Sequence, residues 1–206
     1  KNSMQFKNNN LNYSLLYQLG QFNAVSSERE ELTNLFRNLF IAEISNNTYL
    51  WRKKDLNKRI SENYKYTPRV IAEGLIWRNI LKSGLFIYSN DKSQKLISFI
   101  TGPELTVGSL RSNFLDFTKF SSLATYTFKD GRSPFAFDDV NNSFRIKFNL
   151  EQQLYGPLVF NSETYLNLDN KDNEYGSFKE TSFGLDLKRR AYNIGVFFKP
   201  NSKSIG

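Results

Sequence analysis

Hydrophobic and polar positions alternate most cleanly between Asn142 and Pro200. From Ser143 to Gln152, the apolar residues Phe144, Ile146, Phe148 and Leu150 take every second position, and Arg145, Lys147, Asn149 and Glu151 fill the gaps. A period of two sends successive side chains to opposite faces, which predicts a β-strand. Gly156-Pro157 breaks the run, and Leu158, Phe160, Thr164, Leu166 and Leu168 then alternate with Asn161, Glu163 and Asn167 as the second arm of a hairpin. After a polar loop from Asp169 to Gly176, Thr181, Phe183, Leu185 and Leu187 alternate with Glu180, Ser182, Gly184, Asp186 and Lys188. Arg189-Arg190 leads at once into a fourth strand carrying Tyr192, Ile194, Val196 and Phe198 on one side. The expected fold class is therefore all-β, an antiparallel meander.

The earlier chain continues the pattern with interruptions. Residues 1 to 10 are rich in Asn and Lys and are expected as a loop or a cut end. Leu11, Tyr13, Leu15, Tyr17 and Leu19 make the first clear strand, with Leu16 its only lapse. Ser27 followed by Glu30 reads as a capping box, and Leu32, Leu35, Phe36, Leu39 and Phe40 recur at helical spacing. This predicts a helical turn near 27 to 34 inside a loop, then a strand from about 36 to 50. Arg52 to Asn63 is expected as a solvated, charged connection, and Tyr66 to Leu81 fits helix and strand nearly equally. Strands follow from Leu85 to Ser89 and Lys95 to Leu105 around an Asn90-Asp91-Lys92-Ser93 turn, and both faces of Leu96 to Ile100 are apolar enough to predict burial on both sides. Phe120, Ala124, Tyr126 and Phe128 oppose Thr125, Thr127 and Lys129 along the next strand. The loop from Asp130 to Asp139 carries Phe135 and Phe137 between turn formers, which predicts a loop packed onto or into something. The count is about ten strands plus one truncated at Ser204-Ile205-Gly206, in a single domain over 1–206 expected to be a segment of a larger barrel.

The polar face decides between environments. It carries Arg145, Lys147, Glu151, Glu163, Glu180, Asp186 and Lys188, so it faces either bulk water or the wet lumen of a membrane barrel whose apolar face meets lipid. Strands of about 10 to 13 residues exceed the usual globular length and match what a tilted crossing of a bilayer needs. Phe and Tyr, at 19 and 11 residues, suit lipid-facing walls and interfacial girdles. No apolar stretch is long enough for a transmembrane helix.

Composition narrows the chemistry. Without Cys or His, the chain lacks thiol nucleophiles, imidazole bases and the usual zinc ligands, so no enzyme activity and no catalytic, cofactor-binding or metal residue is expected. Asp138-Asp139 near Arg132 admits a cation site, but adjacent carboxylates usually diverge, and a turn or cap is the preferred reading. The net charge of +8 is spread over most segments rather than clustered, and no nucleic-acid partner is expected.

Ser133 to Val140, Glu151 to Leu158, Tyr165 to Asp169 and Lys188 to Gly195 resemble a cyanobacterial outer-membrane family similar to LptD, the lipopolysaccharide-assembly barrel. The resemblance is best over 84–206. It implies an outer-membrane barrel that passes lipopolysaccharide to the outer leaflet through a polar lumen and a lateral opening. The implied partners are outer-membrane lipid, a plug lipoprotein in the lumen and periplasmic bridge proteins. The cysteines that cross-link proteobacterial members are absent, and no functional residue carries over. Arg145, Lys147 and Lys188 are candidates for contacting anionic groups, with ion pairing to Glu151, Glu163, Glu180 and Asp186 the commoner fate. The alternatives are a porin-like channel and a soluble β-sandwich or lipocalin-like binding protein.

Overall fold

A computed structural model describes residues 2–8, 11–27, 31–53, 66, 71–108, 110, 112–138, 143–170, 173–189, 191–200 and 204–205. The strands are β1 (Asn2–Asn8), β2 (Leu11–Val25), β3 (Leu32–Arg52), β4 (Gly74–Tyr88), β5 (Ser93–Val107), β6 (Thr118–Gly131), β7 (Ser143–Tyr155), β8 (Leu158–Asn167), β9 (Phe178–Lys188), β10 (Asn193–Lys199) and β11 (Ser204–Ile205). They form one sheet in sequence order, each bonded to its neighbours in the chain. The described residues contain no helix. The all-β antiparallel meander is thus as expected.

Two local expectations are corrected here and one open alternative is resolved. Residues 2–8 are not a loop, because β1 pairs antiparallel with β2 from Asn2↔Tyr17 to Asn8↔Leu11. The strand expected from about 36 begins at Leu32, so there is no helical turn at 31–34; residues 28–30 of the capping box lie outside the described residues. The segment 74–81, read as either element, is strand. Residues 54–65 of the charged connection also lie outside the described residues.

Two compact units divide the chain. The first comprises Lys1–Asn47, Asn79–Thr101 and Thr125–Phe144. In it β2 and β3 pair from Leu11↔Asn46 to Val25↔Leu32, which puts Tyr13, Leu15, Tyr17, Leu19, Phe36, Phe40 and Ile44 on one face. All of these are exposed; Leu15 and Leu19 retain 53% and 58% of their surface. Tyr17 and Phe40, directly opposite in the ladder, hold their rings 4.7 Å apart. On β5 the expectation of burial on both sides fails, since Ile97 and Phe99 are exposed. The opposite face is covered. It holds the buried cluster Leu39, Phe86, Tyr88 and Phe135, with Phe22, Leu35 and Leu96 against it, together with buried Arg37, Gln94, Thr125 and Thr127.

The second unit comprises Thr48–Arg78, Gly102–Ala124 and Arg145–Gly206. β7 and β8 pair from Arg145↔Asn167 to Tyr155↔Leu158, with Leu154 as an extra residue before the turn. β8 and β9 pair from Leu158↔Leu187 to Leu166↔Phe178, with Glu180 and Thr181 together opposing Thr164. Such a bulge bends the strand and re-aims its side chains, and Glu180 takes a φ of +52° there. Phe160 stacks on Phe183 across this ladder on the apolar face, with centroids 6.3 Å apart. A small core of Tyr66, Leu110, Phe117 and Val159 sits on the other side.

Candidate functional site

In the second unit the polar positions of the alternating strands converge. The ladder puts Lys147, Asn149 and Glu151 on the same face as Asn161 and Glu163, and Asn161 and Glu163 on the same face as Ser182 and Asp186. A cavity of about 490 Å³ opens there, lined among others by Glu104, Lys119, Asn149, Glu151, Glu163 and Asp186. A second of about 750 Å³ shares Glu104, Lys119 and Glu151 and adds Lys188, Arg189 and apolar residues such as Ile71 and Phe117.

The charges on this face are mutually matched. Lys147 Nζ lies 2.8 Å from Glu163, Lys188 pairs with Glu151, and Glu104 takes both Arg78 at 3.0 Å and Lys119 at 3.4 Å. Asn161 donates to Asp186 at 2.7 Å, and Asn149 donates to Ser121 at 3.1 Å. Arg145 lies 4.8 Å over the Tyr165 ring, which also receives Lys147 at 5.1 Å. The arrangement is rich in donors and acceptors and suited to exchanging hydrogen bonds with water or a hydroxyl-bearing, charged ligand. Of the cations singled out from sequence, Arg145 and Lys147 are brought together at the Tyr165 ring, Lys188 lies apart near the Pro157 turn, and Lys147 and Lys188 already hold carboxylates.

The first unit has a different polar site, built around Arg37. Its Nη1 reaches both carboxylate oxygens of Asp138 at 2.6 Å, with exposures of only 6% and 8% for the two side chains. Tyr88 donates its hydroxyl to the same carboxylate at 3.2 Å. The guanidinium also sits 4.2 Å over the Phe22 ring and 5.5 Å from that of Phe137. Asp138 arrives there because loop 132–138 lies across the covered face. Ser27 N–H bonds the Pro134 carbonyl at 2.9 Å, Ala136 N–H bonds the Val25 carbonyl at 3.0 Å, and Phe135 is fully buried. Of the two Phe expected to pack, Phe135 does so fully, while Phe137 stacks on the Phe135 ring at 5.3 Å but stays 56% exposed. Asp138 lies in a turn, as preferred from sequence, its N–H bonding the Phe135 carbonyl at 3.2 Å, and its carboxylate is taken up by Arg37 and Tyr88; the described residues contain no cluster of metal-binding side chains, and Asp139 lies outside them.

The description "Protein of unknown function (DUF3769)" belongs to a family whose model matches residues 1–206. The chain belongs to the DUF3769 family. No curated protein and no solved structure matches it. In this DUF3769 chain, Lys53 of the charged run after β3 is paired with Glu73 at 2.6 Å and Arg52 lies 5.2 Å over Tyr49, while Lys54, Lys58 and Arg59 are outside the described residues. Sequence reasoning missed Arg37, Gln94 and Gln153. The available signal was Arg37 itself, a charge set between Leu35 and Leu39 on what becomes the covered face.

Proposed function

We propose that this DUF3769 chain is part of the wall of an outer-membrane β-barrel that, like LptD, delivers lipopolysaccharide to the outer leaflet. One observation carries the reading. The side of the sheet bearing Leu15, Leu19, Phe36, Phe40, Ile97, Phe99 and Phe128 is exposed, while Arg37, Asp138, Gln94, Thr125 and Thr127 are buried on the other. A soluble sandwich reverses that arrangement, burying its large apolar side chains and solvating its charges. Burial of charge beside exposure of Leu and Phe is what a lipid-facing exterior and a wet interior call for.

The strand lengths support the same reading, since β2, β4 and β5 have 15 residues each, enough for a tilted crossing of the hydrocarbon core. The resemblance to LptD supplies the cargo. The hydrogen-bonding face around Glu104, Glu151 and Glu163 suits the sugar hydroxyls of a glycolipid, and the apolar face suits its acyl chains.

The test is conditional depletion of the protein in its host. Lipopolysaccharide reaching the cell surface is measured by surface labelling, and permeability to small hydrophilic solutes is measured alongside. Loss of newly synthesised surface lipopolysaccharide is the expected outcome. Unchanged surface lipopolysaccharide with reduced solute uptake would reject export in favour of a passive channel.

A further inference from the structure

The β5–β6 connection wraps around one end of the second unit and carries apolar side chains on both sides of it. On the covered side, Leu110 is 2% exposed within the core it shares with Phe117, Tyr66 and Val159. On the other, Phe114 and Leu115 stand 65% and 50% exposed, and Tyr155 is 65% exposed. An isolated antiparallel bridge joins Phe114 to Tyr155, so the two share a face. The extra residue Leu154 determines which face that is. Gln153 opposes Val159, but Tyr155 opposes Leu158, whose partner on β9 is Leu187. Further along the same face come Phe160 opposite Leu185 and then Phe183. Phe114 and Tyr155 therefore terminate the apolar rows.

The loop that holds them is rigidly built. Gln153, fully buried, donates to the carbonyls of Ser112 at 3.0 Å and Gly156 at 2.7 Å, and accepts from the Asp116 N–H at 2.9 Å. Gly156 N–H bonds the Asn113 carbonyl at 2.6 Å, and Tyr66 donates to the Asn113 side chain at 3.0 Å. Leu110 and Leu115 are held at φ of +57° and +44°, where bulky L residues are rarely found. Solvated turns place Gly, Asn or Asp at such angles. Here the hydrogen bonds at Ser112, Asn113 and Asp116 flank Leu115, Leu110 is held by its burial in the core, and Phe114, Leu115 and Tyr155 are left projecting.

We propose, on the basis of the membrane reading above, that Phe114, Leu115 and Tyr155 anchor this end of the wall in the headgroup region of the bilayer. The patch is continuous with the apolar rows of β8 and β9, and it sits at the last residue of β7, where a spanning strand leaves hydrocarbon. Tyr155 presents a ring to the acyl chains and a hydroxyl to the headgroups, the pairing that enriches Tyr at membrane interfaces.

Because the chain has no Cys, Phe114→Cys and Phe148→Cys can be labelled singly with an environment-sensitive fluorophore; Phe148 lies on the same apolar face near the middle of β7, opposite Thr164. The protein is reconstituted into phosphatidylcholine vesicles carrying a nitroxide either near the headgroup or near the end of the acyl chain. The Phe114→Cys probe is expected to be quenched roughly twofold more by the shallow nitroxide, and the Phe148→Cys probe by the deep one. Deep quenching at 148 with only aqueous quenching at 114 overturns the anchor, and points to a protein partner or bare solvent there. Absence of lipid quenching at both sites overturns the membrane reading, and the anchor with it. Gln153→Leu in the Phe114→Cys background is expected to shift the probe to aqueous quenching while leaving the Phe148→Cys probe unchanged. A probe at 114 indifferent to Gln153→Leu overturns the role given to the hydrogen-bonded scaffold.

Discussion

In the first unit the covered face of the sheet is filled by the chain's own loop, whereas in the second the polar face borders cavities of about 490 and 750 Å³. The same two-residue period underlies both. In the first unit, loop 132–138 brings Phe135 and Asp138 onto the face, so the Arg37–Asp138 ion pair there is stripped of water. In the second, ion pairs such as Lys188 with Glu151 remain about one quarter exposed. A polar face thus has two uses in this chain: a sealed joint that fixes a loop, and an accessible surface that can exchange partners. Energetics should separate them.

The largest effect is expected at the sealed joint. Arg37→Ala strands the Asp138 carboxylate in a buried site, at a cost of about 3–5 kcal/mol, read from denaturant unfolding of the assembled protein. Replacing both partners, as Arg37→Met with Asp138→Leu, should recover most of that loss, because the unpaired charge is then gone. If the single change costs no more than a surface pair, Arg37 and Asp138 are not the sealed joint described here.

Next in size is a charge placed on the apolar face. Phe148→Arg, near the middle of β7, should cost about 2–4 kcal/mol if the position lies at the bilayer midplane, while Asn149→Arg, opposite Glu163 on the polar face, should assemble at near wild-type yield. Heat-modifiable gel mobility of the two variants makes the comparison, and equal losses would contradict the register of β7.

Smaller still is the effect of constraining the approach to the covering loop. Gly131 has a φ of +79°, and a Cβ there would run into the Ser93 carbonyl. Gly131→Ala should therefore destabilise by about 1–3 kcal/mol and raise protease cleavage within 132–138. Wild-type protease resistance would mean that the loop is held without this turn.

The smallest effect belongs to the accessible face. Lys188→Ala, breaking the pair with Glu151, should change stability by about 1 kcal/mol or less. A loss as large as that of Arg37→Ala would erase the distinction between the two faces.

The alternation made most of the meander legible, from Leu11 to Leu19 and again from Leu96 to Phe198. It failed where both faces of a strand are apolar. In β3, Leu35 and Leu39 pack on the covered side while Leu32, Phe36 and Phe40 lie on the exposed one, and the two rows interleave into a helix-like spacing. β1 was missed because its Asn and Lys residues carry no pattern, and its strand character comes from ladder bonds to β2. The convergence of Lys147, Glu151 and Glu163 followed from their shared parity on adjacent strands. The Arg37–Asp138 pair did not, because a contact between residues 101 apart in the chain depends on where a loop lands. Local pattern carries no information about that.

The central claim is that the apolar face meets lipid and the polar face water. Single cysteines at Phe148, Leu166, Lys147 and Glu163, introduced into the membrane-assembled protein, test it directly when treated with a water-soluble maleimide. The account predicts labelling at 147 and 163, and protection at 148 and 166 that is lost once the membrane is dissolved and the protein unfolded. Equal aqueous labelling at all four positions in the intact membrane would contradict it.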